Sequence, residues 1–107
     1  MDAYIGEFEQ LVLLALVRLG DDAYGLSVQR EIAARTGRAT TFGTVYSTLA
    51  RLETKGLVES WLGEPTAERG GRRKKHFQIN AEGRRAIKQS LRAIRQMARG
   101  LDGAVET

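Results

Sequence analysis

The sequence predicts a mainly α-helical protein with one small β-hairpin, and three observations support this fold class. Apolar residues recur at three- and four-residue steps over most of the chain. The pattern changes to an extended, alternating one only between residues 57 and 79. The chain has 107 residues, which is the usual size of one domain with a modest core.

The first predicted helix covers residues 5–19 and is the most apolar segment of the chain. Its apolar stripe comprises Ile5, Phe8, Val12, Leu16 and Leu19. Between residues 11 and 17 the segment is apolar on all sides, which is typical of a helix buried on more than one side. We therefore expect a helix at the centre of the domain, or one shared with a second subunit.

Two further helices follow, each with a capping residue and a stop signal. Asp22 is expected to cap the second helix, which Gly37 ends. Thr41 is expected to cap the third helix, which ends at Gly56 and buries a stripe of Val45, Leu49 and Leu52. The opposite side of the third helix carries only small or polar residues, namely Gly43, Ser47, Ala50 and Thr54. Such a face allows the helix backbone to approach another molecule closely.

The segments 57–62 and 75–79 predict the two strands of a hairpin. The twelve-residue connection between them, from Gly63 to Lys74, is long for a hairpin loop. It contains the only proline, a pair of glycines and the start of a run of basic residues. Because this loop has no apolar anchor, we expect its tip to contact an anion.

Asn80 is expected to cap a last helix, which ends near Gly100. This helix carries a narrow apolar seam with steps of three and four residues, comprising Ile87, Leu91, Ile94, Ala98 and Leu101. Residues 1–80 contain enough apolar residues to close a core alone, so we predict one domain of residues 1–80 and a dimerisation helix in residues 81–107. The alternative is that the last helix folds back on its own domain.

The charge of the chain is strongly segregated. The net charge is +4 at pH 7, yet residues 69–99 contain eleven basic side chains and one acid, Glu82. A local positive field of this kind favours a polyanionic partner. Nucleic acid is the first candidate; a membrane surface is the second, but the last helix lacks the aromatic anchors of a membrane-surface helix.

The composition argues against several classes of function. There is no cysteine, and the single histidine, His76, excludes any site that needs two imidazoles. No arrangement of nucleophile, histidine and acid stands out, and no phosphate-binding glycine motif occurs. We therefore expect no catalytic residues, no metal and no cofactor. The longest apolar stretch is too short to span a bilayer, and the acidic N-terminus does not resemble a signal peptide, so we expect a cytoplasmic protein.

The order of three helices, a basic hairpin and a final helix is that of a winged helix-turn-helix domain with a C-terminal dimerisation helix. In such a domain the third helix enters the major groove of double-stranded DNA and the wing contacts phosphates beside it. The candidate DNA contacts of the third helix are Thr41, Thr44, Tyr46, Ser47 and Arg51. Those of the wing and its flank are Arg69, Arg72, Arg73, Lys74, Lys75 and Arg84.

A homodimer formed through the last helix would favour an inverted-repeat target. A protein-binding winged-helix module and an architectural DNA binder without a defined operator are the alternatives. A protein-binding wing is expected to show exposed apolar residues, whereas this wing is basic, which argues against the protein-binding module. An architectural binder would show little preference between an operator and random duplex.

Several motifs resemble the PadR family of bacterial transcriptional regulators. They are Tyr24-Gly25, the run GTVYSTLARLE over residues 43–53, KGLVE over residues 55–59 and the Arg69-Gly70-Gly71-Arg72 wing before Phe77. The segment GEFEQ at residues 6–10 fits the same family, so the resemblance covers residues 5–90. The single C-terminal helix resembles the short subfamily. Ser47 departs from the pattern, because the family often has proline there.

The resemblance implies a dimeric winged-helix repressor whose last helix and first helix form the dimer interface. It also implies that the Tyr46 hydroxyl bonds a DNA phosphate, whereas the helix geometry alone equally fits a half-buried ring that reaches solvent. Some family members bind small aromatic or amphipathic compounds at the dimer interface, which extends the expected partners to a small-molecule effector there. For Trp61, in the first wing strand, packing is favoured over a ligand role.

Overall fold

The computed structural model describes residues 4–65 and 73–105. Within these ranges five helices and a two-stranded antiparallel hairpin confirm the predicted fold class. The helices are α1 (Glu7–Leu19), α2 (Gly25–Thr36), α3 (Phe42–Thr54), α4 (Ala81–Ala98) and α5 (Asp102–Val105). The strands are β1 (Val58–Pro65) and β2 (Arg73–Ile79).

Helix α1 lies at the centre of the fold, as its apolar character on all sides predicts. Val12 and Leu13 are fully buried, and α1 packs against α2, α3, α4 and β2. Leu49 and Leu52 of α3 and Phe77 of β2 fill the core around it. This shared core fixes the position of α3 relative to the hairpin.

The start of α2 differs from the prediction, because Asp22 does not cap the helix. Asp22 belongs to a short 3-10 turn, and the N-cap position is Tyr24. The hydroxyl of Ser27 accepts a hydrogen bond from the Tyr24 N–H at 2.9 Å and donates to the Asp22 carbonyl at 2.6 Å. A hydroxyl can donate and accept at once, whereas a carboxylate only accepts, so the serine satisfies both backbone groups.

The other two predicted caps are confirmed. Thr41 Oγ1 accepts a hydrogen bond from the Thr44 N–H at 3.0 Å, and Asn80 Oδ1 accepts one from the Gly83 N–H at 2.8 Å. The Asn80 amide also donates to the Gly56 carbonyl at 2.9 Å. Each cap satisfies a backbone donor that the helix leaves unpaired, so the starts of α3 and α4 are well defined.

The strands extend further than the sequence predicts. Strand β1 continues to Pro65 and β2 begins at Arg73, so fewer residues lie between the strands than the predicted twelve. Trp61 pairs with His76 across the hairpin, and Tyr24 pairs with His76 through an isolated bridge. The bridge lies on the edge of β2 that β1 leaves open, so the start of α2 is tied to the wing.

The first turns of α4 share the core, contrary to the expectation that residues 1–80 close it alone. Ala86 and Ile87 are buried within the single chain. A Cβ atom at Gly83 would come within 2.2 Å of the Leu57 carbonyl oxygen and 2.7 Å of Ile79 Cγ1. Glycine at this position therefore lets α4 pack directly against the start of the hairpin.

Helix α4 ends before the predicted seam does. The helix stops at Ala98, and Gly100 adopts a φ of 82°, a left-handed conformation that favours glycine. Leu101 therefore lies beyond a break in the helix, just before α5. The continuous part of the seam runs only from Ile87 to Ala98.

Candidate nucleic-acid interface

The outer face of α3 consists of small and polar side chains. The helix buries Val45, Leu49 and Leu52, and it exposes Gly43, Thr44, Ser47, Ala50 and Thr54. Thr48, which the sequence pattern did not single out, is also buried, and its hydroxyl donates to the Thr44 carbonyl at 2.8 Å. Phe42 and Arg51 are also exposed, but none of these five residues is larger than threonine, so a partner surface can come close to the α3 backbone along them.

Two of the candidate contact residues are joined at the start of α3. Thr41 Oγ1 accepts from the Thr44 N–H and donates to Thr44 Oγ1 at 2.9 Å, and both residues are exposed. The N-terminus of a helix carries partial positive charge, which favours a nearby anion such as a phosphate. These threonines are therefore held where the helix itself attracts negative charge.

Tyr46 is half-buried and lies in an aromatic cluster. Its ring stacks on Phe42, with the centroids 5.8 Å apart, and meets the edge of Phe77 at 6.0 Å. The Lys75 ammonium lies 5.9 Å from the centroid of the Tyr46 ring. The cluster holds the ring between α3 and β2, where the candidate helix and wing contacts meet.

Arg51 does not extend freely from α3, because it pairs with a buried carboxylate that the sequence analysis missed. Its Nε lies 3.3 Å from Oε2 of Glu9 in α1, while the other carboxylate oxygen of Glu9 accepts from Lys55 at 2.9 Å. Glu9 is buried, yet the Arg51 side chain is 55% exposed. The ion pair therefore orients the guanidinium from one side and leaves more than half of the side chain open to a partner.

The environment of Glu9 favours its charged form. Burial alone would raise the pKa of Glu9, but hydrogen bonds from Lys55, the Gly6 N–H and Arg51 outweigh burial and lower the pKa below its ordinary value. A carboxyl group with a lowered pKa stabilises the fold above its unfolded pKa, and this stabilisation is lost as the pH falls through the folded pKa. Glu9 therefore links α1 to α3 most strongly at neutral pH.

We expect Glu9→Gln to lower the free energy of unfolding by about 1–3 kcal/mol at pH 7, because the charged hydrogen bonds to Arg51 and Lys55 are lost. The difference from the wild type should shrink as the pH falls through the lowered pKa of Glu9. Urea denaturation at a series of pH values measures this. Glu7→Gln is the matched control, since Glu7 makes an exposed ion pair with Arg38, which contributes little. Equal effects of the two substitutions would contradict the assignment.

The described basic residues of the wing lie on β2 rather than in a loop. Arg73 and Lys74 are exposed, and the Lys74 ammonium lies 4.2 Å from the centroid of the Tyr24 ring. Lys75 reaches back to α3, with its Nζ 4.0 Å from Glu53 Oε1. Of the other predicted wing residues, Arg69 and Arg72 lie outside the described residues, and Arg84 is exposed in the first turn of α4. Strand β2 thus carries positive charge beside α3.

An aromatic stack lies on the hairpin next to these cations. The His76 ring stacks on Trp61 with centroids 5.6 Å apart and meets the edge of Tyr24 at 5.7 Å. Trp61 therefore packs against the hairpin, which agrees with the favoured interpretation of this residue. The buried Nδ1 of His76 has no hydrogen-bond partner among the described residues.

The predicted dimer residues divide into two groups. Ile87 is buried in its own chain and Leu91 is half-buried against the same core. Ile94 is 56% exposed, and Ala98 and Leu101 are also exposed. Met97, which the seam did not include, is exposed as well. The second half of α4 thus presents apolar side chains that the chain itself does not cover.

Residues 4–65 and 73–105 contain neither a metal-binding cluster nor a membrane-spanning helix. In this part of the chain no group of acidic, histidine or cysteine side chains is arranged to hold a metal ion. In the same ranges, no helix has both the length and the apolar character needed to cross a membrane.

Comparisons with known proteins agree with this architecture. A family model described as the transcriptional regulator PadR-like family matches residues 13–89, from α1 into α4. A PadR family transcription regulator from Clostridium difficile R20291 superimposes with a TM-score of 0.75 at 22% identity, covering 94% of this chain and 99% of that chain. A comparison with curated proteins found no match.

Two structures with higher sequence identity show the same architecture. A transcriptional regulator from Clostridium thermocellum is 27% identical with a TM-score of 0.70, covering 92% of each chain. A PadR family regulator from Eggerthella lenta DSM 2243 is 26% identical with a TM-score of 0.68, covering 94% of this chain and 88% of that chain. The family match covers most of the chain, and the chain therefore belongs to the PadR-like family of transcriptional regulators.

Proposed function

We propose that the protein is a homodimeric, sequence-specific DNA-binding repressor that recognises an inverted-repeat operator and carries out no catalysis. The observation that carries this proposal is the exposed face of small and polar residues on α3, flanked by the basic strand β2. A helix with short side chains can lie deep in the major groove, where its side chains reach the base edges. For a regulator whose partner is DNA, the proposed compartment of action is the cytoplasm.

Within this proposal α3 supplies the base contacts. Thr44, Ser47 and Arg51 face the major groove of the DNA. The hydrogen bond from Arg51 to Glu9 orients the arginine side chain. Thr41 and Tyr46 contact the phosphates at the edge of the groove, where the positive end of the helix dipole supports them. This division assigns sequence recognition to the middle of α3 and register to its start.

The basic residues of the hairpin and its flank supply the phosphate contacts. Arg73, Lys74 and Lys75 lie on β2, and Arg84 lies at the start of α4. Arg69 and Arg72 complete the set in the sequence. Contacts with phosphates hold the protein on the duplex but carry no sequence information.

The second half of α4 supplies the dimer contacts. Ile94, Met97, Ala98 and Leu101 are exposed apolar or small residues that a second copy would cover. Apart from Arg84, the proposed DNA contacts all lie within residues 1–80, and the proposed dimerisation helix lies within residues 81–107. Two-fold symmetry between subunits then corresponds to inverted symmetry between two half-sites.

A small-molecule effector at the dimer interface would meet a shallow groove between α1 and α4. Tyr4, Gln10, Ala93 and Ile94 line this groove, which has a volume of about 340 Å³. Tyr4 and Ile94 are exposed in the single chain, so a ligand there would be covered by the second subunit. Such a ligand would change the distance between the two α3 helices and thereby the affinity for the operator.

Substitution of one base-contacting and one phosphate-contacting residue tests the proposed function. Arg51→Ala should weaken binding to the operator by about 1–3 kcal/mol per half-site and relax base preference, because a bidentate contact with guanine is lost. Lys74→Ala should instead weaken operator and random duplex to the same extent, because phosphates are common to both. Affinities for both duplexes at one salt concentration measure the difference.

Thermal melts of both variants provide the control for folding. Glu9→Gln, which removes the ion pair but keeps the Arg51 guanidinium, should weaken operator binding less than Arg51→Ala does. If Arg51→Ala and Lys74→Ala reduce operator and random binding in the same proportion, the assignment of α3 as the recognition helix is wrong. An architectural binder would give that result.

A further inference from the structure

A groove lies between the starts of α2 and α3 and strand β2, on the side of the domain proposed to face DNA. It has a volume of about 500 Å³, within the usual range of small-molecule sites. Its lining has an apolar part, here called the apolar wall, and a basic part, the basic wall, and the two adjoin where Leu62 pairs with Lys75, so the groove is amphipathic. Phosphate binding alone requires only the basic wall.

The apolar wall exposes three large hydrophobic side chains to solvent. Leu26 is 38% exposed, Phe42 50% and Leu62 59%. Single exposed hydrophobic residues are normal on a protein surface, but three that line one groove indicate a binding surface. The Phe42 ring lies directly on Gly25, where a Cβ atom would come within 2.6 Å of it, so the ring is seated at the edge of the groove.

The basic wall is formed by Arg73, Lys74 and Lys75 of β2. Among the described residues, no acidic side chain lies within ion-pair distance of Arg73 or Lys74, whereas Lys75 approaches Glu53. The Lys74 ammonium lies over the Tyr24 ring, which also lines the groove. A cation beside an aromatic face thus lies in the same groove as the exposed hydrophobic side chains.

We propose that this groove binds an amphipathic organic anion, with an apolar body and one acidic head group. The body lies against Leu26, Phe42 and Leu62, and the head pairs with Arg73 and Lys74. Because these cations are also the ones assigned to DNA phosphates, the anion and DNA compete for them. The competition rests on the proposed function, but the binding of the anion does not.

A pair of fluorescent probes tests the site directly. The anionic probe is 1-anilinonaphthalene-8-sulfonate, and the neutral probe is N-phenyl-1-naphthylamine, which has the same apolar body without the sulfonate. We expect the anionic probe to bind once per chain and about tenfold more tightly than the neutral probe, as one charge-assisted contact would give. Fluorescence titration of the full chain measures both affinities.

Variants of the groove separate its two walls. Lys74→Gln should weaken the anionic probe about tenfold and leave the neutral probe unchanged. Leu62→Ser should weaken both probes, since Leu62 is exposed and its loss leaves the core intact. Val17→Ser in α1 and Lys88→Gln in α4, both at exposed positions, are the matched apolar and charged controls and should change neither affinity.

The outcomes are distinct. Equal binding of both probes to the wild type would overturn the proposal, as would loss of binding in Val17→Ser but not in Leu62→Ser. Addition of operator duplex should displace the anionic probe. If the duplex binds while the probe stays bound, the proposed competition is wrong; if the probe binds as expected but the protein has no affinity for duplex, the proposed function fails and the groove stands.

Discussion

Replacing Ile94 with lysine is expected to convert the dimer to a monomer and to abolish tight operator binding. Ile94 is more than half exposed in the single chain, so the substitution leaves the core of the chain intact. In the proposed dimer it would bury one added positive charge from each subunit within the interface. If each substituted copy loses about 2 kcal/mol of binding free energy, the dimer loses about 4 kcal/mol, which raises its dissociation constant about a thousandfold.

Sedimentation at tens of micromolar protein measures the change in mass, and operator titration measures the loss of affinity. Gln96→Lys is the matched control. Gln96 is exposed on the side of α4 opposite Ile94, and the substitution adds the same charge as Ile94→Lys. It should remain dimeric. A wild-type protein that sediments as a monomer under these conditions would show that α4 does not form the interface.

The second large effect concerns the salt dependence of binding. If each subunit neutralises about four phosphates, the dimer neutralises about eight, and the log–log salt slope is about −7 at about −0.9 per phosphate. Arg73→Gln with Lys74→Gln removes two contacts from each subunit. The slope should therefore flatten by about 4, to roughly −3.

Affinity for one operator fragment, measured from low to moderate salt, gives both slopes. Both residues are exposed on β2, so a thermal melt of the double variant should match that of the wild type. Lys88→Gln with Arg92→Gln removes the same number of charges from exposed positions of α4 and should leave the slope near −7. An unchanged slope in the folded Arg73 and Lys74 variant would mean that these charges are only solvated.

Helical periodicity was sufficient to predict the main elements and the buried side of α3. Val45, Leu49 and Leu52 follow a strict apolar stripe, and all three are fully buried. The caps Thr41 and Asn80 are local signals, because a capping side chain bonds to a backbone N–H three residues away. Most features determined within a few residues of the chain were therefore predictable; the start of α2, where Ser27 rather than Asp22 makes the capping bonds, is an exception.

Features that depend on distant packing were not predictable in the same way. The apolar seam of α4 predicts that another surface covers it. Its periodicity does not show whether that surface belongs to the same chain or to a second copy. Ile87 is in fact buried by its own chain. The first turn of α4 can lie close to the Leu57 backbone because Gly83 has no side chain there. The break at Gly100 then separates Leu101 from the rest of the seam.

The Glu9 ion pairs show how a buried charge escapes a search for apolar stripes. Glu9 lies four residues after Ile5 and three before Val12, so it occupies a position within the buried stripe of α1. An acid in such a stripe signals a buried partner. Its partners Arg51 and Lys55 lie more than forty residues away, and only the folded structure brings them together.

The most direct test of the proposed function is a selection of bound fragments from the parent genome, followed by footprinting of one fragment against random competitor duplex. We expect the selected fragments to share an inverted repeat, with two protected half-sites about one helical turn apart and one dimer bound per site. A large excess of random duplex should be needed to displace the protein. Fragments without a shared sequence, or equal competition by random duplex, would contradict sequence-specific binding by a homodimer.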